Sequence, residues 1–537
     1  MTFLKSALLA TTVALSVGAC RDNEAGARGD ASAAVGEISI KGLSDRDVAA
    51  RFSVEPREVP TASAEAALRR LNLFEESDEL SWASRTGENG NYVFTDLAVM
   101  EDGDQVGTVA QLTLLGLREQ GESGVAMDKL EADGIDVRGE EAGDRIRVDD
   151  LVLIRPRADD IGSLVGDESD RDLPEADAAA ANGIAFSGKG TDGKGAATIT
   201  LESIAFAEST SIDAPDGFFT MGRLDVEGTG DTGAAIDGEF DGMTVSGFQS
   251  LDDISNPMSA ANPYGAAGLE MDIKEGRFSS DTLRVSFAGL QGSTEEARGG
   301  KLQSRLRMEP LRIGFTGEPT DPQLTQLHEA ISGLGYEDMV ITMASDSVVD
   351  PAADTVTSEG GYFEIEDGLR VEMDTVMRGF GAMREAQADA LREAGFDAPP
   401  GPDATDEERA RYNRILGEGA MGALDQLEVD RLVLRMDDNS LLERIFTLAA
   451  EEQGTSTKVL KMQAKGMLQM GTMMGAGAGI DPEITTELVE ALAGWIDAPG
   501  STFVLTLDPE TPLGANTLSS GSVPSKAELG FSASVEE

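Results

Sequence analysis

Residues 94–99 read FTDLAV and residues 148–153 read VDDLVL. The order is an apolar residue, two mostly polar ones, an apolar one, any residue, and an apolar one. It returns as MGRLDV at 221–226, MEPLRI at 308–313, YEDMVI at 336–341 and VDRLVL at 429–434. A uniform strand keeps one face at even spacings, whereas here the first step is three and the second two. Each copy therefore predicts a strand that bulges or turns a corner between its first two apolar residues. Repeated copies point to successive strand-and-corner units in one long twisted sheet. Their gaps are irregular, which excludes a strict-period solenoid.

The surrounding sequence extends this reading. Period-two alternation recurs at 37–43 (EISIKGL), 197–206 (ATITLESIAF) and 269–273 (LEMDI), the pattern of half-buried strands. Residues 155–183 and 252–268 read as long polar loops, and 62–73 as a small helix. After Asp321-Pro322, an N-cap followed by Pro at N1, helical patterns appear at 382–394, 458–474 and 482–495. Thr405 to Glu408 and Ser440 to Glu443 each carry a capping-box signature. Residues 395–405 read as a linker. The stretches 429–436, 502–507 and 527–534 read as strands. The expected fold class is α+β, a long, mostly antiparallel β-rich body at 36–320 followed by an α+β region at 321–537 with a helical cap.

With 98 acidic and 43 basic residues the net charge is −55. Such a polyanion lacks the basic footprint of a nucleic-acid-binding protein and is repelled by anionic headgroups. Its acidic residues are spread along the chain, as on a solvated surface. Apolar residues at 40% suffice for a packed core. Aromatics at 5% weaken the case for a sugar-stacking cleft.

The first twenty residues set an expectation about location. Lys5 precedes an apolar run from Ala7 to Val17, then Gly18, Ala19 and Cys20, the only cysteine. The run is too short to span a bilayer and fits a signal-peptide core. The segment resembles a bacterial lipoprotein signal peptide, with Val17 a mild departure from the usual Leu. The resemblance implies removal of residues 1–19 and a diacylglyceryl thioether on Cys20. It also implies a tether over 20–35 and permanent membrane anchoring through several acyl chains. Arg21 beside the lipidated residue favours the outer membrane, facing the periplasm. A mature chain with no other cysteine forms no disulfide and offers no thiol nucleophile.

Motifs for chemistry are sparse. His328 is the one histidine, no G-x-S-x-G or S-x-x-K occurs, and classical zinc sites lack ligands. Gly188, Gly190 and Gly193 match G-x-G-x-x-G, but a strand pattern follows where a helix is required, so a hairpin is predicted. The loop-like 237–242 places Phe248 where a calcium loop needs Glu. Abundant Asp and Glu leave a carboxylate-dependent hydrolase as a remote alternative. The most distinctive internal feature is the cluster Met462, Met467, Met470, Met473 and Met474. Met467, Met470 and Met474 share a helical face, consistent with core packing, with a plastic groove for lipid tails or a partner helix, or with Cu(I) binding by thioethers.

The repetitive β-rich style resembles envelope proteins of the AsmA-like and YdgA-like kinds, a likeness of texture that carries over no residue roles. The sequence therefore predicts a lipid-anchored envelope protein without catalytic residues, resident metal or cofactor. It would act by binding or scaffolding, with a lipid or other hydrophobic ligand, or an envelope protein, as partner.

Overall fold

The computed structural model describes residues 51–536 apart from 56, 102, 121–123, 140–143, 157–175, 190–195, 211–215, 230–234, 249–267, 320–321, 397–410, 413, 416–425, 478–480 and 515–523. Cys20 with its signal segment and tether, the strand expected at 37–43 and the capping box at 405–408 lie outside the described residues. So do most of the two loops expected at 155–183 and 252–268. The strand Ala178–Lys189 begins before the first of those loops was expected to end. The fold is α+β and mostly antiparallel, with helices concentrated towards the C-terminus.

The chain divides into two compact units, 1–250 with 272–287, and 251–271 with 288–537. The strands at 290–315, on the β-rich side of the boundary expected at 320, belong to the second unit.

In the first unit, strands Asn91–Glu101, Asp104–Leu115, Lys129–Arg138, Arg145–Ile154, Ala178–Lys189 and Ala196–Ala207 form a meander, each antiparallel to the next. The three-then-two pattern is visible in its burial. Phe94, Leu97 and Val99 all face the core. The change of phase occurs at Asp96, whose φ is +53°. Register is kept across it, because Thr95 pairs with Gln111 and Leu97 with Val109. The neighbour changes phase at the same level, between Val109 and Leu112, and the next strand does so at Gly134, with φ +63°. Gly183, with φ +60°, repeats this two strands further on. A Cβ on Gly134 would lie 2.9 Å from the Ala110 Cβ, and one on Gly183 would lie 2.1 Å from an Asp149 oxygen. The result is a crease across the meander, made without inserting a residue. The helix Thr61–Arg70 closes this core with Ala64, Ala67 and Leu68, three and four apart on one face.

In the second unit, strands Leu290–Ala297, Lys301–Phe315, Asp338–Asp350, Thr355–Ile365, Leu369–Arg378, Glu428–Asp438, Thr502–Leu507 and Ser532–Glu536 pair antiparallel in that order. Here the same sequence pattern makes true bulges. Met308 pairs with Met343 but Leu311 with Ile341, and a one-residue shift stands opposite Val429 to Arg431. The copy at 336–341 straddles a strand start, since that strand begins at Asp338.

Helices Leu441–Gln453, Thr457–Gly477 and Pro482–Asp497 are inserted between strands Glu428–Asp438 and Thr502–Leu507. Two local expectations are corrected. The Ser440 side chain makes no cap bond; Asp438 Oδ1 accepts from the Leu442 N–H at 3.0 Å instead. Residues 526–529 form a helical turn closed by a capping box between Ser525 and Glu528, and only Ser532–Glu536 is strand.

Candidate functional site

Directly opposed residues of antiparallel strands project to the same face. Register therefore assigns the two faces of the second sheet. One row runs Met343, Phe363, Val371, Met436, Phe503 and Val535. The adjacent row runs Met373, Leu434, Leu505 and Ala533. The opposite face is ionic. The Arg370 guanidinium reaches Glu364 at 3.0 Å and Glu372 at 2.7 Å and stacks 3.9 Å from the centre of the Tyr362 ring. The sheet is thus amphipathic, and its apolar face requires cover.

The inserted helices cover part of it. Ile484, Ala491 and Trp495 pack with Phe503, Met436 and Leu505 in one core, where Phe503 is 2% exposed. Cover stops short of the other end of the same rows, where Phe363 is 41% and Met373 48% exposed. With somewhat under half of each side chain still in water, about 1 kcal/mol of burial is forgone at each. Phe363 and Met373 are diagonal neighbours on this face, and exposed apolar side chains set side by side offer a partner a surface to cover. No sequence motif pointed to Phe363 or Met373; the available signal was alternation in 361–365 and 369–373.

The Met-rich helix packs on its two neighbouring helices with Leu460 buried. Met462, Met467 and Met470 look outward at 60, 62 and 60% exposure, so they are not core. The Met473 and Met474 side chains lie outside the described residues; the helix backbone includes both positions.

The remaining candidates separate from any site. The His328 ring rests on Phe315, centroids 4.8 Å apart. Lys189 pairs with Ala196 in antiparallel strands, so a strand, not a helix, follows the glycine motif; Gly190 and Gly193 lie outside the described residues. Asp237 lies within strand Ala235–Phe240, and Phe248 is fully buried. Among the described residues no group of three or more His, Cys, Asp or Glu is placed to hold a metal, and no helix is long and apolar enough to cross a membrane. Asp133 and Asp150 stand opposite each other in the first unit. Burial raises both pKa values, helped by Glu131 at Asp133 and by Asp149 at Asp150. Burial likewise raises Tyr336.

Residues 362–534 match the model of a family described only as an uncharacterised protein. That stretch holds the apolar rows from Phe363 onward, Val535 excepted, and all three inserted helices. No curated protein and no solved structure matches the chain.

Proposed function

We propose that the protein is a lipid-anchored protein of the bacterial cell envelope that binds a hydrophobic ligand, foremost an acyl chain, on the apolar sheet face of its second unit. The observation that carries this reading is the row from Phe503 to Phe363, apolar along its length and covered at one end only. An acyl chain laid along the open end would recover the burial those side chains lack, at about 25 cal/mol per Å² of apolar area removed from water. The lipoprotein-like segment ending at Cys20 supports a membrane-proximal setting, and the net charge of −55 argues against anionic polymers as ligands. The test is native mass spectrometry of the full chain from an envelope fraction, with lipid extraction of the same sample. Phospholipid or fatty acid at fixed stoichiometry supports the reading, provided that Phe363→Asp lowers it.

The outward face of Met462, Met467 and Met470 favours a second reading, a scaffold that docks a protein through this helix. Crosslinking of the full chain in envelope fractions distinguishes it, since Met467→Gln with Met470→Gln then removes a specific partner and leaves bound lipid unchanged.

A further inference from the structure

The inserted helices begin and end at adjacent points. Strand Glu428–Asp438 leads into them, and the outgoing strand starts at Thr502, which pairs with Asp437. The Asp438 N–H donates to the Ser501 carbonyl at 3.2 Å, and Trp495 Nε1 donates to that same carbonyl at 3.0 Å. Both connections of residues 441–497 to the sheet therefore lie on one line. The helices are tied to each other by ion pairs, Lys461 with Glu443 at 2.5 Å and Lys465 with Asp497 at 2.7 Å.

The connecting residues are not relaxed. Ser440 has φ +138° and ψ −4°, a conformation that a residue with a Cβ adopts only when its surroundings impose it. They do so here. Ser440 Oγ donates to the Asp367 carbonyl at 2.5 Å and accepts from Arg444 Nε at 2.8 Å, and the Leu441 N–H reaches the Gly368 carbonyl. Two residues earlier, Asp438 is 1% exposed and its Oδ2 has no hydrogen-bond partner among the described residues. A buried orphan oxygen calls for an explanation. Strain and a buried orphan oxygen thus lie within three residues of each other at one connection.

A separate set of contacts lies at the far end of helix Pro482–Asp497. Asp481 Oδ2 accepts from the Lys526 N–H at 2.8 Å, Lys526 Nζ pairs with Glu487, and Glu487 Oε1 accepts from the Ala533 N–H at 2.9 Å. At 1.5 Å per residue, Asp481 stands about 25 Å along the helix from the connection.

We propose that helices Leu441–Gln453, Thr457–Gly477 and Pro482–Asp497 form a hinged lid, turning at Asp438–Ser440 and Ser501, clasped by Lys526 with Glu487 and Asp481, whose opening uncovers the buried end of the apolar face. This rests on the reading of that face as a hydrophobic-ligand site, and it adds the regulation of access. Lid opening exposes Phe503, Met436 and Leu505, which continue the rows that start at Phe363 and Met373, and so lengthens the face available to a chain-like ligand.

The test uses the full chain in detergent with Trp82→Phe, which leaves Trp495 as the sole tryptophan. Lys526→Glu places a carboxylate against Glu487 and Asp481. The expected result is exchange of backbone amides in 482–497 at least tenfold faster and higher acrylamide quenching of Trp495, with exchange in 369–378 unchanged. Unchanged exchange in 482–497, or acceleration there only together with 369–378, would overturn the lid. If Lys526→Glu does not fold, Glu487→Gln, which keeps an acceptor for the Ala533 N–H, is read by the same criteria. A fluorescent fatty acid added to the same samples separates the two claims. Opening without greater uptake keeps the lid and removes the ligand reading; greater uptake supports both.

Discussion

Phe363 and Phe503 belong to one cross-strand row, linked through Val371 and Met436, yet one is 41% exposed and the other 2%. The difference is whether the inserted helices reach that far. It makes the two phenylalanines a controlled pair, with the same residue type on the same face and opposite burial. Phe503→Ala is expected to destabilise the second unit by about 3–5 kcal/mol through loss of packing and a cavity. Phe363→Asp should cost much less, about 1 kcal/mol, while abolishing fatty-acid binding. Denaturant titration beside a fluorescent fatty-acid assay checks both halves.

The crease of the first unit is expected to be intolerant of side chains. Gly183→Ala places a Cβ at φ +60° against the Asp149 carboxylate and should cost more than about 1 kcal/mol. Gly103, with φ +89° and nothing within 4 Å of its Cβ, serves as the comparison. Its Ala variant carries only the backbone penalty and should melt higher than Gly183→Ala.

Two pH effects of opposite sign are expected. The Lys526 N–H and that of Glu483 hold the Asp481 carboxyl below its ordinary range, and Lys526 with the Ala533 N–H does the same for Glu487. Carboxyls depressed in the folded state contribute stability above their unfolded pKa and lose it as pH falls through the folded value. Lys526 is raised, chiefly by Glu487, so its contribution fades only as strongly alkaline pH passes its folded pKa. The clasp therefore holds at neutral pH, and acidification below the carboxylate range should increase Trp495 quenching in the Trp82→Phe protein. Quenching that stays flat down to acid unfolding would contradict it.

Asp133 and Asp150 behave in the other sense. Burial and neighbouring carboxylates raise both, so their ionisation in the folded state opposes stability above the unfolded pKa and is relieved as pH falls. Asp133→Asn is expected to stabilise the first unit at neutral pH by roughly 0.5 kcal/mol, an effect that vanishes in acid. Melting curves across pH follow it.

Much of the first unit was legible in sequence, and more copies of its pattern were present than the six first recognised. Residues 132–137 (ADGIDV), 181–186 (ANGIAF), 201–206 (LESIAF) and 240–245 (FDGMTV) fit it too. They are easily passed over because Ala opens two of them. In 132–137 and 181–186 an Asx-Gly pair stands where the backbone takes positive φ, at Gly134 and Gly183, a usable signal. Whether a copy makes a crease or a bulge depends on whether the partner strand changes phase at the same level, which no single strand's sequence states. Ser440 misled for a local reason. The capping-box letters are present, but Asp438 already caps the helix and the Ser440 hydroxyl is held by Asp367 and Arg444. Periodicity placed Met467 and Met470 on one face of a helix; which way that face looks is set by the helix's neighbours.

The proposed lipid anchor has its own test. Cys20→Ser should abolish incorporation of labelled acyl chains and move the protein from the membrane to the soluble envelope fraction.

The most direct measurement of the central claim is the lipid content of the full-length protein and of Phe363→Asp with Met373→Glu, isolated side by side from envelope fractions and analysed by native mass spectrometry. The apolar-face reading expects wild type to carry a fixed number of acyl-chain ligands beyond the proposed covalent anchor, and the double variant, still cooperatively folded, to carry none. Equal lipid on both proteins, or no lipid on wild type after gentle isolation, would contradict it.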